Sequence, residues 1–133
     1  MIPGLDTSVV VRLLIGEPPG QAAAARRMLE EGSARKPSAA ISDLVVGESY
    51  FALRHHYSVP HARAVAALRE LVGDARILPT GVARTVLNLP ADELAAPGFM
   101  DRLIHGDYER ADATVVTFDR GAARLPGARL LAP

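Results

Sequence analysis

Hydrophobic and polar positions follow two different patterns along this chain. Short apolar runs predict strands at residues 2–5, 38–41, 76–78, 113–117 and 128–131. Between these runs, apolar residues recur every three or four positions, which predicts helices at residues 9–15, 21–31, 43–56, 60–72, 80–89 and 99–110. Segments rich in glycine and proline, at 16–20 and 90–98, indicate loops.

The order of these elements indicates a fold class. Strands that alternate with helices need crossover connections, which give mostly parallel sheets covered by helices on both faces. We therefore expect a three-layer α/β/α fold with a mostly parallel central sheet of four to five short strands. The 133 residues show neither a repeat nor a linker, so we expect one domain over residues 1–133.

Composition narrows the possible functions. The 15 basic and 15 acidic side chains cancel, so a nucleic-acid site would have to be a local patch rather than a general basic surface. The chain has no cysteine, which removes disulfides, thiolate metal sites and cysteine nucleophiles. It shows neither a secretory signal pattern nor an apolar run of the roughly 18–20 residues that span a bilayer, so we expect a cytoplasmic protein without a membrane partner.

Four acidic residues stand at positions where an α/β fold places functional groups. Asp6 ends the first predicted strand, and Asp119 lies two residues after the strand at 113–117. Open α/β sheets bind ligands at the carboxyl ends of their strands. Asp101 opens a predicted helix, where simple capping is the alternative reading.

Glu48 needs a separate argument, because it interrupts an apolar row. Residues four apart share a helix face, so Leu44, Glu48 and Ala52 form one row of the helix at 43–56. Burying an unpaired carboxylate is costly, so Glu48 should meet a cation or face a cleft at the edge of that row. Several carboxylates at one crevice suit a hard cation such as Mg²⁺ or Mn²⁺ and metal-assisted hydrolysis of a phosphodiester.

Four segments resemble the motifs of the PIN-domain nucleases. Leu5-Asp6-Thr7-Ser8 is similar to the opening motif, and the segment 42–48, which ends in Glu48, is similar to the second. Asp101-Arg102-Leu103-Ile104 resembles the third, and the segment 115–120, which contains Asp119, resembles the fourth. Among PIN proteins, the small chain looks most like the VapC toxins of prokaryotic toxin–antitoxin pairs.

The resemblance implies a function and a set of partners. It implies an endoribonuclease that uses Mg²⁺ or Mn²⁺, is restrained by a cognate antitoxin and forms a homodimer. Asp6, Glu48, Asp101 and Asp119 would be the catalytic and metal-binding acids. Ser8 and Thr117 would be hydroxyls that orient carboxylates or waters, with helix capping and strand propensity as their simpler explanations.

Several other side chains remain open at this stage. Arg12, Arg102 and Arg120 lie near the acids in sequence and could contact phosphate or pair structurally. Asp107 is the alternative to Asp101 if the latter faces away from the crevice. For His55 and His56, at a helix end, capping or a solvated position is favoured over metal or RNA contact. For Tyr50, Phe51 and Tyr57, core or dimer contacts are favoured over base stacking.

Two other functions compete with nuclease activity. A PIN-like module without catalysis could bind RNA or protein, but such a module has no need of four intact acids. A receiver-like or phosphatase-like domain would need a catalytic lysine, and Lys36 is the only lysine. A nucleotide-binding enzyme would need a glycine-rich phosphate loop, which the sequence lacks.

Overall fold

The computed structural model describes residues 1–34 and 36–133, and its helices follow the predicted order. The α-helices are α1 (Thr7–Ile15), α2 (Pro19–Glu31), α3 (Asp43–His55), α4 (His61–Gly73), α5 (Ala83–Leu87) and α6 (Phe99–Arg110). The strands are β1 (Ala39–Ile41), β2 (Ile77–Pro79), β3 (Val116–Thr117) and β4 (Arg129–Leu130). Two short 3-10 turns lie at Gly32–Ala34 and Ala122–Arg124. Within the described ranges, no helix has both the length and the apolar character to cross a membrane.

The strands form two separate parallel pairs. β1 pairs with β2, and residue 4 adds a parallel bridge to Ala40 on the other side of β1. Leu5 N donates to Ala40 O, and Ala40 N donates to Pro3 O, so residues 3–5 take the place of the first predicted strand. β3 pairs with β4 in a sheet of its own. The fold is therefore α/β with parallel strands, but the expected single central sheet is divided.

One hydrophobic core joins most of the helices to the first sheet. It includes Ile41 of β1, Val46 and Leu53 of α3, Leu68 of α4 and Phe99 of α6, each at most 1% exposed. Full burial of an aliphatic or aromatic side chain of this size contributes about 1.5–3 kcal/mol. Because Leu103 of α6 belongs to the same cluster, α6 is fixed against the amino-terminal elements.

Two elements are shorter than the sequence pattern predicts. The helix expected at 80–89 is reduced to Ala83–Leu87. Its first turn is capped by a residue of α3, because the Asp43 carboxylate accepts hydrogen bonds from Val82 N and Ala83 N at 3.0 Å. The strand expected at 113–117 is reduced to Val116–Thr117, because Asp112 turns the chain with a φ of 56° and Ala113 N donates back to Tyr108 O.

Gly106 has a packing function that helix propensity alone does not reveal. In an isolated helix, glycine is weaker than alanine by about 1 kcal/mol. In α6, however, Gly106 is buried, and a Cβ there would lie 2.6 Å from Val82 Cγ2. The missing side chain therefore lets α6 approach the segment that precedes α5.

Candidate functional site

Asp6 lies at the junction between residues 3–5 and α1, where it is the helix N-cap. Its Oδ2 accepts a hydrogen bond from Ser8 Oγ at 2.8 Å and from Ser8 N at 3.3 Å. The Ser8 hydroxyl and the backbone N–H groups of Ser8 and Thr7 hold the pKa of the Asp6 carboxyl below its usual 3.8. The sequence suggested a hydroxyl as the cap. In the structure Asp6 is the cap, and Ser8 orients its carboxylate.

Asp6 and Glu48 line one cleft of about 610 Å³ between α1 and α3. Both carboxylate residues are exposed. The row that contains Glu48 is not uniformly buried, because Leu44 is 86% exposed and Ala52 is half-buried. The buried face of α3 is instead formed by Val46, Ser49 and Leu53. Glu48 therefore stays hydrated at the cleft, as the alternative reading required.

The same cleft contains a buried hydroxyl with an unmet hydrogen-bonding capacity. Thr7 lines the cleft, and its Oγ1 is buried without a hydrogen-bond partner in the part of the chain that the structure covers. Buried polar atoms almost always have a partner in native proteins, whether protein, water or ion. Together with two carboxylates, this oxygen gives the cleft the donor chemistry that hard cations prefer.

Asp101 lies outside this cleft, at the first turn of α6. Its Oδ2 accepts a hydrogen bond from Gly98 N at 3.3 Å, so the capping interpretation describes its contact. Asp101 lines a groove with Ile104, Tyr108 and Thr117, which we call the Asp101 groove. Asp107, the alternative acid, lines a different groove with Leu44 and Met100.

Asp119 has a local contact pattern like that of Asp6 but a different setting. Its Oδ1 accepts hydrogen bonds from Gly121 N at 2.7 Å and Ala122 N at 3.1 Å, at the start of a 3-10 turn. Thr117 Oγ1 accepts a hydrogen bond from Asp119 N at 2.9 Å. Thr117 therefore positions the backbone before Asp119, which is compatible with the orienting function expected of it.

The four acids do not form one cluster. Within residues 1–34 and 36–133, no three Asp, Glu or His side chains are placed so that they could hold a metal ion together. Asp6 and Glu48 line one cleft, whereas Asp101 lines a groove with Thr117 and Ala122, which flank Asp119 in the chain. Mg²⁺ is commonly held by only one or two protein carboxylates, with water and substrate phosphate as its other ligands. The carboxylates of Asp6 and Glu48, which line one cleft, are of the ligand type that such an ion takes.

The three candidate arginines differ in their contacts. Arg12 lines the cleft, and its Nε donates to Gln21 Oε1 at 2.9 Å. Arg102 donates to the carbonyl oxygens of Pro97 and Glu93, so it anchors the 90–98 loop. Arg120 is exposed. Only Arg12 therefore combines a position at the acidic cleft with a fixed guanidinium.

Comparison with known families bears on both the fold and the site. The PIN domain profile matches residues 5–128, nearly the whole chain. The chain belongs to the PIN domain family. A comparison with curated proteins gives no match. PIN domains have a three-layer α/β/α fold, which agrees with the helices and parallel strands described here.

Membership of the PIN family indicates a general class of reaction. PIN domains are generally nucleases that depend on divalent metals such as Mg²⁺, and they act on nucleic acid. At this level the chain is a hydrolase of the nuclease class.

The PIN domain cleft also contains two residues for which the sequence analysis favoured a structural reading over a functional one. His56 and Tyr57, at the end of α3, line it together with Asp6 and Glu48. The row of residues four apart already contained the signal, because Glu48 and Ala52 lead to His56 by the same spacing. Thr7 carried no comparable signal, because a buried hydroxyl without a partner is visible only in three dimensions.

Proposed function

We propose that this PIN domain is a metal-dependent endoribonuclease and the toxin of a toxin–antitoxin pair. The observation that carries the nuclease proposal is the shared cleft of Asp6 and Glu48 on a PIN fold. The toxin assignment is supported by the VapC-like motifs around Asp6, Glu48, Asp101 and Asp119 and by the small size of the chain.

In this proposal each part of the cleft has a separate task. Asp6 and Glu48 hold a Mg²⁺ or Mn²⁺ ion, which when bound supplies an activated water and neutralises charge on the phosphate. Ser8 fixes the rotamer of Asp6 through its 2.8 Å hydrogen bond. Asp101 and Asp119 belong to the proposed site through their resemblance to the third and fourth PIN motifs.

One observation favours a second candidate, a binding module without catalysis. Since no three acidic or histidine side chains of the described residues form a metal-binding group, the fold as described could hold RNA or protein without hydrolysing it. The two candidates differ in their need for carboxylate charge at Asp6.

Cleavage by charge-neutralised variants tests the proposal. Asp6→Asn and Glu48→Gln keep the shape of the side chains but remove the charge that binds a cation. We expect each to lower cleavage of a panel of cellular RNAs in Mg²⁺ by about 100-fold or more, the usual loss when transition-state stabilisation is removed. Asp92→Asn, in an exposed loop, is the matched control and should cleave like the wild type. Full activity in a folded Asp6→Asn variant would contradict the proposed site.

The proposed partners are a homodimer mate and a cognate antitoxin. Of the aromatic residues for which the sequence suggested core or dimer contacts, Tyr50 packs against the core. Phe51 is 57% exposed, and the neighbouring Leu44 is 86% exposed. Light scattering should give twice the 14.1 kDa chain mass, and a monomer at micromolar concentration would remove the dimer.

A further inference from the structure

The cleft at Asp6 and Glu48 extends past the acids to the end of α3. Arg12, His56 and Tyr57 line the same space of about 610 Å³. We infer that this part of the cleft is a subsite for one nucleotide of single-stranded RNA, with the phosphate at Arg12 and His56 and the base on the ring of Tyr57. The inference rests on the proposed function, since it concerns the substrate of the same cleft.

The size and polarity of the cleft suit a nucleotide. Binding sites for small organic groups usually occupy about 300–1,000 Å³. The cleft is lined both by carboxylates, at Asp6 and Glu48, and by side chains with nitrogen donors, at Arg12 and His56. A nucleotide needs such donors for its phosphate, because side chains without a proton to donate cannot hydrogen-bond to the anionic oxygens.

Arg12 is positioned for phosphate. Its Nε donates to Gln21 Oε1, which fixes the plane of the guanidinium. Its terminal nitrogens make no hydrogen bond with the residues that the structure describes, and Arg12 lines both this cleft and the neighbouring groove that contains Gln21. A guanidinium fixed on one side and open on the other matches the paired oxygens of a phosphate.

Tyr57 offers the aromatic surface. It is 40% exposed, and in the described part of the chain its ring packs against no other aromatic ring. Tyr50 differs, because its hydroxyl lies 2.7 Å from His61 Nδ1 and its ring contacts Phe99. Stacking on an exposed ring is a common way to bind a single-stranded base without strict sequence preference.

A tryptophan reporter tests this subsite directly. The chain has no tryptophan, so Tyr57→Trp introduces a single fluorophore at the proposed base position. The probe is an unstructured RNA hexamer at low salt in EDTA, where no metal-dependent cleavage occurs. We expect the hexamer to quench the tryptophan, and an abasic ribose-phosphate oligomer of the same length to bind without comparable quenching.

Phe51→Trp is the matched control on the same helix. Phe51 is 57% exposed and does not line the cleft, so its replacement should report no stacking. With a labelled hexamer, Tyr57→Leu and Arg12→Gln should each weaken binding by about tenfold. Equal quenching in both tryptophan variants, or quenching by an acidic peptide as strong as that by RNA, would overturn the nucleotide subsite.

Failure of the subsite can be told apart from failure of the nuclease proposal. If Tyr57→Trp is quenched by RNA but the wild type cleaves no RNA in Mg²⁺, the subsite stands and catalysis does not. If the wild type cleaves RNA, while Tyr57→Trp is not quenched and Tyr57→Leu keeps the wild-type KM, the nuclease stands and the subsite is overturned.

Discussion

Asp6 and Asp119 each follow a short parallel strand segment, yet their surroundings differ. Asp6 follows the buried Leu5 and caps the nine-residue α1, which packs Val10 into the core. Asp119 follows Val116 and Phe118, which are 49% and 69% exposed, and its carboxylate accepts hydrogen bonds from Gly121 N and Ala122 N at the start of a three-residue 3-10 turn. The same local pattern of apolar residues followed by aspartate therefore gives a site within a cleft in one case and a surface turn in the other.

The difference shows what makes a carboxylate part of a site. Both carboxylates accept hydrogen bonds from groups two or three residues ahead, Asp6 from Ser8 and Asp119 from Gly121 and Ala122, so local geometry does not separate them. What separates them is the second element beside each: α3 contributes Glu48 to the cleft that Asp6 lines, whereas α6 contributes Asp101 to the groove lined by Thr117 and Ala122, which flank Asp119. The predictions below test this contrast, beginning with the largest expected effect.

Metal-dependent stabilisation should distinguish the two aspartates most strongly. A ligand that binds only the native state raises the free energy of unfolding by about 2.7 kcal/mol at 100 times its Kd. We expect excess Mn²⁺ to stabilise the wild type and Asp119→Asn to this extent, relative to EDTA. Asp6→Asn and Glu48→Gln should lose the effect. Thermal melts measure it, and equal losses in Asp6→Asn and Asp119→Asn would show that the four acids act as one site in solution.

The second largest effect is expected at Asp43, which connects α3 to the start of α5. Its carboxylate accepts from Val82 N and Ala83 N, and a Cβ at Gly81 would overlap it. Asp43→Ala leaves these two partly buried donors unpaired, so we expect a loss of about 2 kcal/mol in urea unfolding. Asp43→Asn keeps one acceptor oxygen and should lose less. If the two variants unfold alike, the carboxylate is not bound as described.

A substitution at Gly106 tests the close packing of α6 against the segment that precedes α5. Gly106→Ala gains helix propensity, but the new Cβ would meet Val82 Cγ2 at 2.6 Å. Overpacking of this kind costs about 1–3 kcal/mol, so we expect a net loss near 1 kcal/mol.

Two variants control the Gly106 prediction. Val82→Ala in the same chain should recover part of the loss, because it removes the clashing methyl groups. At Gly47 the nearest atom to a new Cβ is Met100 Cε, at the end of a flexible side chain. Gly47→Ala should therefore be tolerated, and a stabilised Gly106→Ala would contradict the close approach of α6.

The smallest effect is expected at Asp74, in the turn before β2. Arg76 donates to both Asp74 oxygens, at 2.7 Å and 3.0 Å, and this hydrogen bonding lowers the pKa of Asp74 from 3.8. A lowered folded-state pKa adds stability above the unfolded-state pKa and loses it as the pH falls through the folded-state value.

The free energy of unfolding of the wild type should therefore exceed that of Asp74→Asn by less than about 1 kcal/mol at pH 6. The gain is small because the Asp74 and Arg76 side chains are about one third exposed. The difference should shrink as the pH falls below 3.8. Urea midpoints between pH 6 and pH 3 measure this, and a difference that grows on acidification would contradict the assignment.

The sequence alone determined the order of elements and the family. Helices α2, α3, α4 and α6 lie within two residues of their predicted bounds, because periodic apolar positions and caps such as Ser42 are local properties. The four motif acids are likewise local signals, and the family match over residues 5–128 agrees with the resemblance that they suggested.

The tertiary structure decided which of these residues meet. Strand pairing depends on contacts between residues far apart in the chain, so the apolar run at 113–117 could not reveal that only Val116 and Thr117 would pair, and with β4. For the same reason the sequence placed Glu48 in an apolar row but could not show that the row is exposed, or that α3 brings His56 and Tyr57 into the cleft of Asp6. The local sequence determines whether a segment forms a helix or a strand, whereas the free energy of packing distant segments determines which residues that segment contacts.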